Sequence, residues 1–398
     1  MIKTAENSSR LIYIDGLRGI ICLWIVLTHC YWEAFPDGST GALYLPLGLA
    51  LQPIAFSNKV AVFFVISGYC IFLPFIRARS SIIAGGLFVF IKRRMRRILP
   101  PYYASLALSL LLISLTPALQ TAQGVRWDTA LPAFTPDVLL SHLLLVHNLD
   151  QNWIVRINPP LWSLAVEWQI YFLFLLLLLP LWRRFGLTLA LTVGFILGFL
   201  PHFLLRESAN YSWTCPWFLS LFCLGAVAAS AFHFPRQVYK SALAGTLIFG
   251  MTTLTAINTR PLWLGQAGPF QLWIDLSVGL LTGFFLAYGT SAVALPEYAR
   301  KVHLLESKIP QILGKYSYSL YLVHFPLLSL VHAGLRSFFT SNDEHPLWRL
   351  GLLFVIGVPL SLLAAFVFHN VFETMIARLF TANGTAGTQD KQKVTAAV

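Results

Sequence analysis

At 398 residues, 57% hydrophobic and only 11% charged, the chain is too apolar for a soluble domain of its size. Its 28 Lys and Arg outnumber 16 Asp and Glu by +12, which in so apolar a chain points to basic loops beside anionic lipid rather than to nucleic acid. The five cysteines (Cys22, Cys30, Cys70, Cys215, Cys223) all fall in apolar stretches without metal-ligand spacing, so neither a bound metal nor a disulfide framework is expected.

The expected architecture is all-α and polytopic. Ten spans are predicted near 14–35, 59–76, 100–116, 161–182, 186–205, 213–232, 238–257, 271–294, 314–335 and 347–376. The start, `MIKTAENSSRLIY`, lacks a signal-cleavage pattern, so the first span is expected to be retained. Two shorter apolar stretches, `LYLPLGLALQPIAF` and `DVLLSHLLLVHNL`, read as interfacial or re-entrant segments. One transmembrane domain over 1–380 is expected, followed by a short polar, disordered tail over 381–398. Placing the N-terminus in the cytoplasm puts 21 of the 28 Lys and Arg on the inner side and seven outside, which predicts both termini inside.

Polar groups inside such spans need a reason. The first span, `IDGLRGIICLWIVLTHCY`, carries Arg18 and His29 at i and i+11, on one helical face with a rise of about 16.5 Å. Their plain reading is a buried histidine bonded to a neighbouring helix and an arginine reaching the headgroups. The second span, `FFVISGYCI`, offers Ser67 and Tyr69 around Gly68; close helix packing is the simpler role for the glycine, and no base or elbow accompanies Ser67. Next, `FVFIKRRMRRILPPYY` packs five cations into Lys92–Arg97, with Arg93, Arg96 and Arg97 at i, i+3 and i+4 and Arg94 with Arg97 as another such pair. This is either an interfacial helix on anionic lipid or a phosphate site.

The fourth span, `NPPLWSLAVEWQIYFLF`, places Glu167 about 9 Å below its outer end, a depth matching that of His29. A carboxylate orienting an imidazole suits general-base chemistry, and a structural pair is the alternative. The ninth, `LGKYSYSLYLVHFPLL`, supplies Tyr318 and His324, the latter structural or pore-lining on its own. Glu373 falls near the cytoplasmic end of the last span, to pair with the Arg cluster or sit at the headgroups.

Arg18 to His29, `FFVISGY`, `RRMRRILPPY`, `WSLAVEWQIYF` and `LGKYSYSLYLVHFPLL`, in this order, resemble membrane-bound acyltransferase family 3 from about residue 11 to 376. The resemblance implies acyl transfer, commonly of acetyl from acetyl-CoA, to hydroxyls of surface polysaccharides, lipid-linked sugars or secondary metabolites. It places the essential histidine at His29, its basic partner at Arg18 and the Arg-x-x-Arg acyl-CoA element at Arg94 and Arg97. An acidic residue late in the chain matches Glu373, although the usual proline context is missing. No counterpart of the esterase-like domain of longer members is expected, so its contribution should come from elsewhere or be unneeded.

The resulting expectation is an inner (plasma) membrane O-acyltransferase taking acyl-CoA from the cytosol, without metal. Its acceptor is a carbohydrate or lipid-linked hydroxyl, its surroundings membrane lipid, and His29 aided by Glu167 is the base. The rival is a transporter or flippase of a polar or anionic solute, using the same intramembrane charges as a pathway.

Overall fold

The computed structural model describes residues 11–35, 51, 53–54, 58–82, 86–205, 210–259, 267–295, 297–298, 302–338 and 346–374. Most of the 43–56 segment and all of the 381–398 tail lie outside them. The described residues form helices and turns with no strand, and nine helices are long and apolar enough to cross a membrane. A tenth, shorter apolar helix covers Phe218–His233. The protein is thus an all-α, multi-pass membrane protein.

In chain order the long helices are α1 (Ile12–Ala34), α2 (Val60–Arg77), α3 (Gly86–Leu115), α4 (Trp162–Leu173, continued through a π turn to Phe185), α5 (Leu187–Leu205), α6 (Phe218–Ser230), α7 (Pro235–Thr259), α8 (Ala267–Ala294), α9 (Lys308–Phe338) and α10 (Pro346–Leu352, continued to Thr374). They correspond to the ten predicted spans with one main difference. α3 begins at Gly86 and runs unbroken through the cations and Pro100–Pro101. The cationic stretch is therefore the first part of a membrane helix rather than a separate surface helix.

Two close seams hold the helices that carry the polar groups. A Cβ on Gly314 would stand 2.1 Å from the Asp15 carbonyl oxygen, and one on Gly19 would stand 2.3 Å from the Gly314 nitrogen. These absent side chains let α1 and α9 touch backbone to backbone. On the second seam a Cβ on Gly68 would meet the Phe222 carbonyl oxygen at 1.9 Å, which draws α2 onto α6.

Pro326 lies inside α9 and has no N–H for the carbonyl of Leu322, four residues earlier. That freed oxygen accepts Ser105 Oγ at 2.7 Å and Asn158 Nδ2 at 3.0 Å. The proline thereby joins α3 and the segment before α4 to α9, two residues from His324.

Between α3 and α4 the chain folds as 3-10 turns around the short helix Pro136–Leu143. This segment, 117–161, caps the bundle at the end where α1 finishes, which we term the far face. The opposite end, carrying Arg18, Arg94 and Lys315, is the basic face.

Candidate active site

Three cavities succeed one another through the bundle. The first, about 980 Å³, opens at the basic face and is lined by Arg18, Arg77, Arg94, Arg97, Lys315 and Glu373, among others. A neck of about 100 Å³ shares Arg18, Arg97, Ser317 and Tyr318 with it and adds Ser67 and Glu167. Beyond the neck a far chamber of about 510 Å³ shares Val60 and Tyr321 with it and holds His29.

The imidazole is held in a defined tautomer. His324 Nδ1 lies 3.0 Å from the Leu320 carbonyl and 2.9 Å from that of Tyr321, oxygens that only accept, so this nitrogen carries a proton. In the neutral ring its Nε2 is then an acceptor, and it sits 2.7 Å from His29 Nδ1, which must donate. The lone pair of His29 therefore resides on Nε2. The two rings stack with centroids 4.9 Å apart, while Phe325 and Trp32 meet His29 edge-on, each at 5.2 Å. An imidazole fixed in rotation, lining a chamber and with no hydrogen-bond partner for Nε2 among the described residues, is equipped to accept a proton.

Glu167 does not stand beside His29. It accepts Ser67 Oγ at 2.9 Å and a short bond from the Tyr171 hydroxyl, which also lies 2.9 Å from Ser67 Oγ. The carboxylate is in the neck, facing the same space as Arg18 and Arg97. The expected pairing of Glu167 with His29 is not formed, and His29 bonds His324 instead: matching depth on two helices does not make them neighbours, and the helix packed on α1 is α9.

Arg18 reaches Cys70 Sγ at 3.6 Å and Asp15 at 3.9 Å, at the junction of cavity and neck. Arg94 lies over the rings of Phe90 at 5.4 Å and Tyr171 at 5.6 Å, while Arg97 turns from the large cavity into the neck. Arg93 lines none of the three cavities in series. It lines a flanking cavity of about 410 Å³ together with Arg94 and Arg97.

A family model described as an acyltransferase domain matches residues 11–369. The chain belongs to acyltransferase family 3. It is similar to O-acetyltransferase OatA of Staphylococcus aureus, in strains NCTC 8325 and COL alike: 25% identical over 378 residues, covering 92% of this chain and 57% of each relative. The chain thus spans little more than half the length of the curated relatives it matches. No solved structure matches it.

In this family member the remaining candidates separate clearly. Tyr318 lines both neck and basic cavity and donates to the Ile98 carbonyl at 3.2 Å. Glu373 faces the basic cavity, takes a short bond from Ser319 and lies 3.3 Å from His369 Nδ1. Tyr69 is elsewhere, buried with its hydroxyl 2.5 Å from Thr290 Oγ1, and lines none of the three cavities.

Three charged residues of the far chamber escaped the sequence reading: Lys59, Arg126 and Asp275. Asp275 had a usable signal, as the sole acid in its span, 1% exposed and held by Asn58 at 2.8 Å and Trp217 at 2.9 Å. Lys59 and Arg126 read as ordinary flanking cations, because nothing in the local pattern shows that the chain folds back over His29.

Proposed function

We propose that the chain is an O-acyltransferase moving an acyl group, acetyl in the simplest case, from acyl-CoA to an acceptor hydroxyl. The observation that carries this reading is the connected file of cavities. It runs from a cationic mouth to a far chamber lined by His29, an imidazole whose lone pair is left on Nε2. The basic face is the cytoplasmic one, in line with the excess of Lys and Arg on that side, and the membrane is the plasma (inner) membrane.

The phosphates of acyl-CoA bind at Arg18, Arg94 and Arg97, whose guanidinium forks match phosphate oxygens. The pantetheine arm enters the neck, and the rise of about 16.5 Å between Arg18 and His29 is comparable with that arm when extended. His29 Nε2 takes the proton of the acceptor hydroxyl as the oxygen attacks the thioester carbonyl. The C–S bond breaks, and the departing sulfur recovers the proton from the His29 imidazolium. Positioned base catalysis of this kind contributes about 10² to 10⁴ in rate.

A solute pathway would use the same charges, but it would not need a cationic mouth matched to phosphate or a tautomerically fixed base. The test uses the purified full chain, labelled acetyl-CoA and an envelope glycan and lipid extract from the source cells. Label should move to the extract with release of free thiol. Arg94→Ala with Arg97→Ala should weaken acetyl-CoA binding at least tenfold in folded protein, and Lys at both positions should restore only part of it. Solute flux without thiol release, or unchanged acetyl-CoA binding in the double variant, would reject the reading.

A further inference from the structure

Two of the three charged side chains in the far chamber are fully engaged by the protein. Lys59, 2% exposed, donates to Thr28 Oγ1 at 2.6 Å and to the Ile54 carbonyl at 3.3 Å. Asp275 accepts from Asn58, Trp217 and Gln271. Arg126 is different. Its half-buried guanidinium lies over the Trp32 ring, 5.3 Å from the centroid, and among the described residues no acceptor or carboxylate is within bonding reach of it. The other side of the same contact is the base, since Trp32 meets the His29 ring at 5.2 Å.

Such a group is costly in isolation. Burial disfavours the Arg126 charge more than the nearby Glu33 carboxylate supports it. Glu33 is itself taken by Ser329 Oγ at 2.5 Å and His332 Nδ1 at 2.9 Å. A guanidinium does not shed its proton, so its open N–H fork calls for an anion from outside the chain. The phosphates of acyl-CoA are excluded, being placed beyond the neck at the opposite end of the bundle. The Trp32 ring, 5.3 Å from Arg126 and 5.2 Å from the His29 ring, joins the guanidinium to the base along one wall of the chamber. A group held by Arg126 therefore lies in the same chamber as His29.

We propose that Arg126 is an acceptor-recognition residue, and that the acceptor bears an acidic oxygen group, carboxylate or phosphate, on the same compact ring or its neighbour as the reacting hydroxyl. This deepens the acyltransferase reading and rests on it for the identity of the occupant. Trp32, Trp162 and Trp213 on the chamber wall suit the apolar face of such a ring.

The test measures binding, which does not require turnover. The purified full chain in neutral detergent is titrated calorimetrically with methyl glucoside, methyl glucuronide and glucose 1-phosphate. At least one acidic probe should bind about tenfold or more tightly than the neutral glucoside, as for a charge-assisted bond. Arg126→Gln should reduce that preference to under threefold, and Arg126→Lys should retain part of it. Preference for the carboxylate or for the phosphate names the acceptor's acid. His29→Gln should keep the preference; a parental chain that selects acids yet transfers no acyl group would reject the transfer reading and spare this site. Equal affinity for neutral and acidic probes, an undiminished preference in folded Arg126→Gln, or no binding of either acidic probe would overturn the proposal.

Discussion

His324 is 0% exposed, and its side chain does two things for His29: it accepts a hydrogen bond from Nδ1–H and so leaves the ring's lone pair on Nε2. Removing the acceptor should release the tautomer. His324→Ala is expected to lower transfer by about ten- to a hundredfold with acyl-CoA binding unchanged, whereas His324→Gln, whose amide oxygen can accept, should lose less. Equal losses in both variants would make the histidine a packing residue. The buried His142 tests a different part of the molecule by pH. Burial pushes its imidazole down to about 4 despite the Val138 and Arg156 carbonyls beside it. The unfolded chain takes up this proton near pH 6.5, so between that value and about 4 it binds more protons than the fold, and stability falls as pH drops. Melting in detergent should show this loss, with a smaller slope in His142→Gln; an unchanged slope would place the acid sensitivity elsewhere. His29, Arg18 and the Arg94–Arg97 pair were legible in sequence because an ionisable group in an apolar span stands out. The partner of His29 was not, since it lies 295 residues away and arrives only through helix packing.

The helices themselves were legible from runs of apolar residues, and their boundaries mostly agreed. α3 departed from expectation because Arg and Lys are good helix formers and Pro100 and Pro101 do not break it, so charge alone marked no boundary. Which helices touch was hidden in single glycines. The α1–α9 seam is the element on which the His29–His324 bond depends, and Gly314 has no room for a methyl beside the Asp15 carbonyl. Gly314→Ala should therefore cost on the order of 1–3 kcal/mol by overpacking. It should lower the melting temperature and depress transfer more than acyl-CoA binding, because two of the three arginines proposed to hold the phosphates lie on α3, away from the seam. A variant with parental melting and turnover would show that the seam tolerates separation. Ser105 and Asn158, gathered on the carbonyl freed by Pro326, extend the same dependence to α3 and the far-face segment.

Across the whole molecule, a cationic cavity, a neck and an aromatic chamber lie in series, and the proposed reaction has donor and acceptor approach from opposite faces of one membrane. The count of spans and the basic bias of one face could be read from the chain; the connection between the cavities could not, because it is assembled from α1, α2, α3, α4 and α9 together. The claim that joins these levels is that His29 performs the proton transfer while the donor is held elsewhere. The most direct measurement compares His29→Gln with the parent in purified, folded protein, tracking acetyl-CoA binding and label transfer in parallel. The account predicts acetyl-CoA binding within a few-fold of the parent and transfer reduced by about two orders of magnitude or more, because glutamine can bond but cannot take a proton at neutral pH. Near-parental turnover in His29→Gln would contradict it.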